Sequence, residues 1–123
     1  MYIDGKVWIG NNDQGERIGI IPKMVNRHGL VAGATGTGKT VTLKVMAETF
    51  SDMGIPVFMA DVKGDIAGMM NPGTDSEDMQ KRIEKFNLTN AGFAYKGYPV
   101  TLWDIYGVKG CLLYTSPSPR DTR

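Results

Sequence analysis

Residues 33–40 read Gly33-Ala34-Thr35-Gly36-Thr37-Gly38-Lys39-Thr40, or GATGTGKT. This stretch has the spacing G-x-x-x-x-G-K-[ST], which is typical of loops that bind phosphate groups between a strand and a helix. HGLVAGA (28–34) before it is a short run of small and branched residues that favours a buried strand. After it, apolar residues recur at helical spacing up to Met53. The stretch therefore predicts a strand, a phosphate-binding loop and a helix in that order.

Each residue type in this loop has a chemical reason to be there. Glycines let the backbone turn tightly and approach an anion without a Cβ in the way. The loop amides act as N–H donors, and the helix that follows adds the positive end of its dipole. Lys39 is expected to contact the β- and γ-phosphates of a nucleoside triphosphate, and the Thr40 hydroxyl to ligate Mg²⁺. A glycine-rich turn that only caps a helix would not explain Lys39 and Thr40 at this spacing. The predicted nucleotide-binding residues are Gly33, Ala34, Thr35, Gly36, Thr37, Gly38, Lys39 and Thr40, with Lys39 as the catalytic residue.

The segments around the loop predict an α/β fold. PVFMAD (56–61) favours a second buried strand, and Gly54 fits the position just after the helix, so strand, helix and strand form a parallel βαβ unit. KVWIG and RIGIIP near the N-terminus predict a hairpin or two small strands. A second helix is predicted over residues 74–86, with Thr74 and Glu77 at capping-box spacing and Met79, Ile83 and Phe86 as its apolar stripe. YPVTLWDIYG (98–107) is predicted to form a strand.

Asp61 has two interpretations. Four apolar residues followed by Asp resemble a Walker B strand, whose carboxylate would hold Mg²⁺. However, Val62 follows Asp61, whereas a translocase-type ATPase usually has Glu at that position. The candidate strand is also the first one after the loop helix, whereas the Mg²⁺-binding strand comes later in many such ATPases. The favoured alternative is a turn role in DVKGD, with Gly64 at a positive φ and Asp61 or Asp65 accepting hydrogen bonds from loop amides.

Composition narrows the class of protein. The chain has 123 residues, 41% hydrophobic and 22% charged, and a net charge of +1, so no strong overall basic field points to nucleic acid or anionic membrane. Its single cysteine excludes a disulfide framework. The sequence shows neither a signal peptide nor an apolar run of about 20 residues that would cross a membrane. These features favour a cytoplasmic protein without a membrane partner.

NRHGLVAGATGTGKTVTLKVMAETFSDMGIPVFMADVKGDIAGM (26–69) and YPVTLWDIYGVKG (98–110) resemble the bacterial HerA-like ATPases of the HerA–FtsK superfamily. The phosphate-binding loop is generic, whereas its combination with NRHG, DVKGD and the WDIYG segment is specific. The resemblance implies a RecA-like core, ATP and Mg²⁺ as ligands, a homo-oligomeric ring that is a hexamer, and motor work on DNA. The expected fold class is therefore an α/β, incomplete RecA-like P-loop NTPase core with a parallel sheet, preceded by a short β-hairpin. Asp61, Lys63 and Asp65 are carried over as signature positions without an assigned role.

In this family the Walker B strand with its catalytic Glu, the sensor and any arginine finger come later in the chain than Gly110 here. Residues 1–110 are thus expected to be the N-terminal part of a P-loop ATPase domain, and to carry the ATP-binding portion of an ATP-driven DNA translocase or helicase-like motor. Two alternatives stay open. One is a P-loop kinase or other phosphotransferase, and the other is a nucleotide-binding fragment with no activity of its own.

The last segment, CLLYTSPSPRDTR (111–123), differs from the rest. Its composition fits a native disordered Ser/Pro linker. One allowed back-translation of Cys111–Asp121 also resembles the end of a transposase adapter used in sequencing libraries. Residues 111–123 are therefore expected to be a non-native tail produced by adapter read-through.

Overall fold

The chain folds as two units, one built from Met1–Met59 with Thr74–Ala94 and the other from Ala60–Gly73 with Tyr95–Arg123. The structure is a computed structural model that describes residues 1–61, 64–103 and 114–115. Within these described residues the two units contain short antiparallel sheets and two α-helices, which places the protein in the α/β class.

The first unit begins with a three-stranded antiparallel meander of β1 (Tyr2–Ile3), β2 (Lys6–Asn11) and β3 (Arg17–Ile20). Asp4 and Gly5 join β1 to β2 with φ values of 51° and 74°. Positive φ at both positions is what a two-residue hairpin turn requires, and Asp-Gly is a favoured pair for it. The predicted hairpin of β2 and β3 is confirmed, and β1 is an additional strand.

Helix α1 (Lys39–Asp52) follows the sheet and confirms the predicted helix. It ends in a Schellman motif, in which Gly54 N–H donates to Ser51 O and Ile55 N–H donates to Phe50 O, both at 2.9 Å. Gly54 has a φ of 78°, a left-handed conformation that glycine adopts without steric cost. The predicted C-terminal glycine cap is thus confirmed.

The core of this unit lies between α1 and β2. Val7 on β2 and Thr49 on α1 are both 0% exposed, and Ala47 and Leu88 are also buried. The prediction that α1 buries one apolar face is only partly correct, because Val41, an apolar residue near the start of the helix, is exposed. At the edge of the core, Trp8 and Phe86 make an edge-to-face contact with ring centroids 6.1 Å apart.

Helix α2 (Glu77–Lys85) confirms the second predicted helix but not its predicted cap. The Ser76 hydroxyl accepts the Met79 N–H at 3.3 Å, so Ser76 is the N-cap and Thr74 lies outside the helix. The prediction of Thr74 was wrong because the helix starts later than the sequence pattern indicated. The predicted stripe is confirmed, since Met79, Ile83 and Phe86 are half-buried while the other positions of the segment from 77 to 86 are exposed.

The predicted parallel βαβ unit is not formed, which corrects the RecA-like parallel core in the expected fold class. Residues 28–34 and 56–61 flank α1 as non-helical backbone without strand pairing. Leu30 and Phe58, which were expected to be buried, are each 90% exposed. A parallel strand needs neighbouring strands and helices on both faces, and the described residues do not supply them. The apolar composition of these segments indicated burial but could not supply the neighbours.

In the second unit, β4 (Thr101–Leu102) pairs antiparallel with β5 (Tyr114–Thr115). Part of the strand predicted over residues 98–107 is thus confirmed at β4, and its residues 104–107 lie outside the described residues. A short 3₁₀ turn at Ala67–Met70 is joined to the chain before β4, because Tyr98 N–H donates to Met69 O at 2.9 Å. Within the described ranges, no helix is both long and apolar enough to cross a membrane.

Candidate phosphate-binding site

The GATGTGKT loop connects the non-helical segment 28–34 to the first turn of α1. Gly36 and Gly38 have φ values of 82° and 90°, both in the left-handed region. A side chain at either position would be strained, so the two glycines allow the backbone to turn twice within three residues. Residues 33–37 and Thr40 are exposed, while Gly38 and Lys39 are half-buried. The loop is therefore open to a ligand from solvent.

No side chain in the described part of the protein caps the start of α1. Gly38 occupies the N-cap position, has no side chain that could accept a hydrogen bond, and the first turn contains no acidic residue. The first backbone bond of the helix runs from Thr42 N–H to Gly38 O at 2.9 Å. The amides of the residues before Thr42 are consequently left without an intrahelical acceptor. Together with the helix dipole, these amides favour an anion at this end.

The carbonyl oxygen of Ala34 accepts the side chains of two loop residues. The Thr37 hydroxyl donates to it at 2.7 Å and the Lys39 Nζ at 2.6 Å. The Thr37 backbone N–H also points to it, at a longer 3.4 Å. These bonds fold the loop back on itself and hold the Lys39 ammonium over its first half.

Thr40 presents a hydroxyl that makes no hydrogen bond in the described part of the chain. The Thr42 hydroxyl differs, since it donates to Gly38 O at 3.2 Å. An exposed hydroxyl oxygen at this position fits a Mg²⁺ ligand, because Mg²⁺ prefers oxygen and keeps several ligands from water and phosphate. Among the described residues there is no group of three or more His, Cys, Asp or Glu side chains that could hold a metal by themselves.

Asp61 belongs to the second unit, where its carboxylate accepts three backbone N–H groups. Oδ1 accepts from Gly64 at 2.8 Å and from Asp65 at 3.3 Å, and Oδ2 accepts from Ile66 at 2.8 Å. Gly64 has a φ of 78°. This is the turn role that the sequence favoured for DVKGD. Mg²⁺ coordination by Asp61 stays a prediction, and Lys63 lies outside the described residues.

The structure thus brings the eight predicted loop residues together around the start of α1. It adds two side-chain bonds that the sequence pattern did not indicate, from the Thr37 hydroxyl and from the Lys39 Nζ to the Ala34 carbonyl oxygen. The signal for the Thr37 bond was weak, since a threonine hydroxyl that bonds a carbonyl three residues earlier is a common local motif without a fixed sequence pattern.

Comparison with known proteins identifies one family. The sequence model of the family described as "Helicase HerA-like C-terminal" matches residues 6–119. This match includes the phosphate-binding loop, DVKGD and part of the segment after Gly110. No curated protein and no solved structure matches the chain.

Proposed function

The chain belongs to the HerA-like C-terminal helicase family, and from that membership we propose that residues 33–40 bind the phosphates of ATP together with Mg²⁺. The family is one of helicases and ATPases, so a nucleotide is the ligand that this loop would be expected to take. The sequence of the loop supports the same assignment independently of the family.

One observation carries the proposal, namely the uncapped start of α1 behind a loop with two left-handed glycines. Free backbone amides, a helix dipole and a nearby ammonium form an environment for an anion, and no carboxylate of the first turn competes for it. The Lys39 Nζ is already held over the loop by Ala34.

The proposed roles follow from the donor and acceptor groups. The loop amides bind phosphate oxygens, and Lys39 neutralises the charge on the β- and γ-phosphates as the catalytic residue. Thr40 would hold Mg²⁺ through its hydroxyl, with the phosphates and water supplying the remaining ligands. Bound Mg²⁺ supplies further positive charge next to the phosphates.

We propose further that the protein from which this chain derives is an ATP-driven DNA motor that works as a homo-oligomeric, hexameric ring. Family membership supports this part, and the near-neutral net charge of +1 leaves any DNA-binding surface to local clusters of basic residues. Hydrolysis would then depend on a Walker B strand, a catalytic Glu and an arginine finger outside residues 1–110. The chain alone is expected to bind MgATP without steady turnover.

Titration of the 123-residue chain with MgATP by isothermal titration calorimetry tests the binding proposal. Lys39→Ala should weaken MgATP binding by about 10- to 100-fold, because it removes a charge-assisted contact to phosphate. Lys23→Ala is the matched control, since Lys23 is an exposed lysine outside the loop. Equal binding by wild type and Lys39→Ala would contradict the proposal.

The motor proposal has its own test in a longer protein that carries this chain. Its ATPase rate should rise when DNA is added. Its mass, measured by light scattering, should be that of a hexamer. Phosphoryl transfer to a small acceptor, with a monomer in solution, would instead support a phosphotransferase.

A further inference from the structure

The Ala34 carbonyl oxygen is the loop atom that binds the Lys39 ammonium. A carbonyl oxygen has two lone pairs, and the Thr37 hydroxyl and the Lys39 Nζ approach it at 2.7 Å and 2.6 Å. These two short bonds fill its capacity, and the Thr37 N–H at 3.4 Å adds little. Thr37 and Lys39 therefore share one acceptor.

Glycines lie on either side of the Thr37 side chain and beside its hydroxyl. Gly36 and Gly38, its two sequence neighbours, both have positive φ values in the left-handed region. A Cβ on Gly33 would lie 2.6 Å from the Thr37 Oγ1 atom, which is too close for a real contact. The hydroxyl thus occupies the space that the missing side chain of Gly33 leaves.

A phosphate bound at the loop would change the hydrogen bonds that the Ala34 carbonyl oxygen accepts. Lys39 can contact the β- and γ-phosphates only by giving up or weakening its bond to the Ala34 carbonyl. The carbonyl oxygen would then carry an exposed partial negative charge beside the phosphate oxygens, which repels them. A second donor that stays on the carbonyl removes part of this penalty.

We propose that Thr37 is a positioning residue for Lys39 in nucleotide binding. Its hydroxyl keeps the Ala34 carbonyl hydrogen-bonded when the Lys39 ammonium moves to the phosphates, and it keeps the loop closed during that exchange. This inference rests on the proposed function of the loop.

The test uses the 123-residue chain and MgATP, with binding measured by calorimetry up to millimolar nucleotide. Thr37→Val keeps the shape of the side chain but removes the donor, and should weaken binding about fivefold, the effect of one hydrogen bond. Thr37→Ser keeps the donor and should bind within about twofold of wild type. Thr37→Ala replaces the valine variant if the latter does not fold.

A double-mutant cycle separates positioning of Lys39 from a general effect on the loop. In a Lys39→Met background no ammonium leaves the Ala34 carbonyl on binding, so Thr37→Val should weaken binding by less than it does in the wild-type background. The inference is overturned if Thr37→Val binds MgATP like wild type, or if its full penalty persists in the Lys39→Met background. If Lys39→Met itself binds MgATP like wild type, the proposed function fails and the inference fails with it.

Discussion

The Asp61 carboxylate lies 2.8 Å from the backbone nitrogen of Gly64 and accepts its N–H through Oδ1. The same side chain accepts Ile66 N–H at 2.8 Å through Oδ2, so both oxygens are used to close the turn. Asp61→Ala should therefore open this turn locally. We expect the amides of Gly64, Asp65 and Ile66 to exchange with deuterium up to about fivefold faster, because each exposed bond contributes on the order of 1 kcal/mol or less. Hydrogen exchange followed by mass spectrometry or NMR checks this.

Asp65→Asn is the matched control for the turn. It removes one negative charge from the same segment without removing an acceptor from Gly64 or Ile66, and it should leave their exchange rates unchanged. A further variant, Asp61→Asn, tests the Mg²⁺ prediction for Asp61. If Asp61 ligates Mg²⁺, Asp61→Asn will reduce the gain in ATP affinity that Mg²⁺ gives, whereas a pure turn role leaves that gain unaltered.

Gly54 should be required for the stability of α1. Its φ of 78° places an L-residue in the left-handed region, so Gly54→Ala should lower the free energy of unfolding by about 1 kcal/mol. Urea unfolding followed by circular dichroism measures this loss. Gly29→Ala is the control, because Gly29 does not have a positive φ and a Cβ there would meet no atom within 4 Å. Equal stability of the two variants would contradict the assigned role of Gly54.

The N-cap of α2 gives a prediction that separates two neighbouring hydroxyl residues. Ser76→Ala removes the acceptor for the Met79 N–H and should cost about 1 kcal/mol of stability. Thr74→Ala should change stability by less than about 0.5 kcal/mol, because Thr74 is exposed and outside the helix. Thermal unfolding of both variants checks this, and the opposite order would restore the cap that the sequence indicated.

How far the sequence predicted the structure depends on the range of the interactions. Helix α1, its Gly54 cap and the β2–β3 hairpin depend on neighbours within a few residues, so the sequence predicted them correctly. Segments 28–34 and 56–61 are apolar, but strand formation depends on partner strands elsewhere in the chain, and among the described residues neither segment forms a strand. Ser76 was missed because the exact start of a helix depends on backbone geometry, not on residue spacing alone.

The candidate site also has features that the sequence predicted and others that it did not. The G-x-x-x-x-G-K-[ST] spacing predicted the position of the loop at the start of α1, and the two left-handed glycines at 36 and 38 fit its backbone requirements. The structure adds a second reason for Gly33 beside the one that the sequence indicated. The pattern assigned this glycine to close approach of an anion, which stays a prediction, and its Cβ position is also filled by the Thr37 hydroxyl. A side-chain contact of this kind has no sequence signature.

That contact leads to a prediction of rescue at Gly33. Gly33→Ala would place a Cβ 2.6 Å from the Thr37 Oγ1 atom, so the loop must shift, and MgATP binding should weaken by about tenfold or more. The other nearby atoms, Thr37 Cβ at 3.5 Å and Lys39 Cγ at 3.6 Å, are at ordinary contact distances. Gly33→Ala combined with Thr37→Ala removes the clash, and should bind MgATP as Thr37→Ala alone does. Calorimetry on the three variants measures this. If the double variant binds no better than Gly33→Ala, Gly33 is required by the phosphate itself and the steric explanation is wrong.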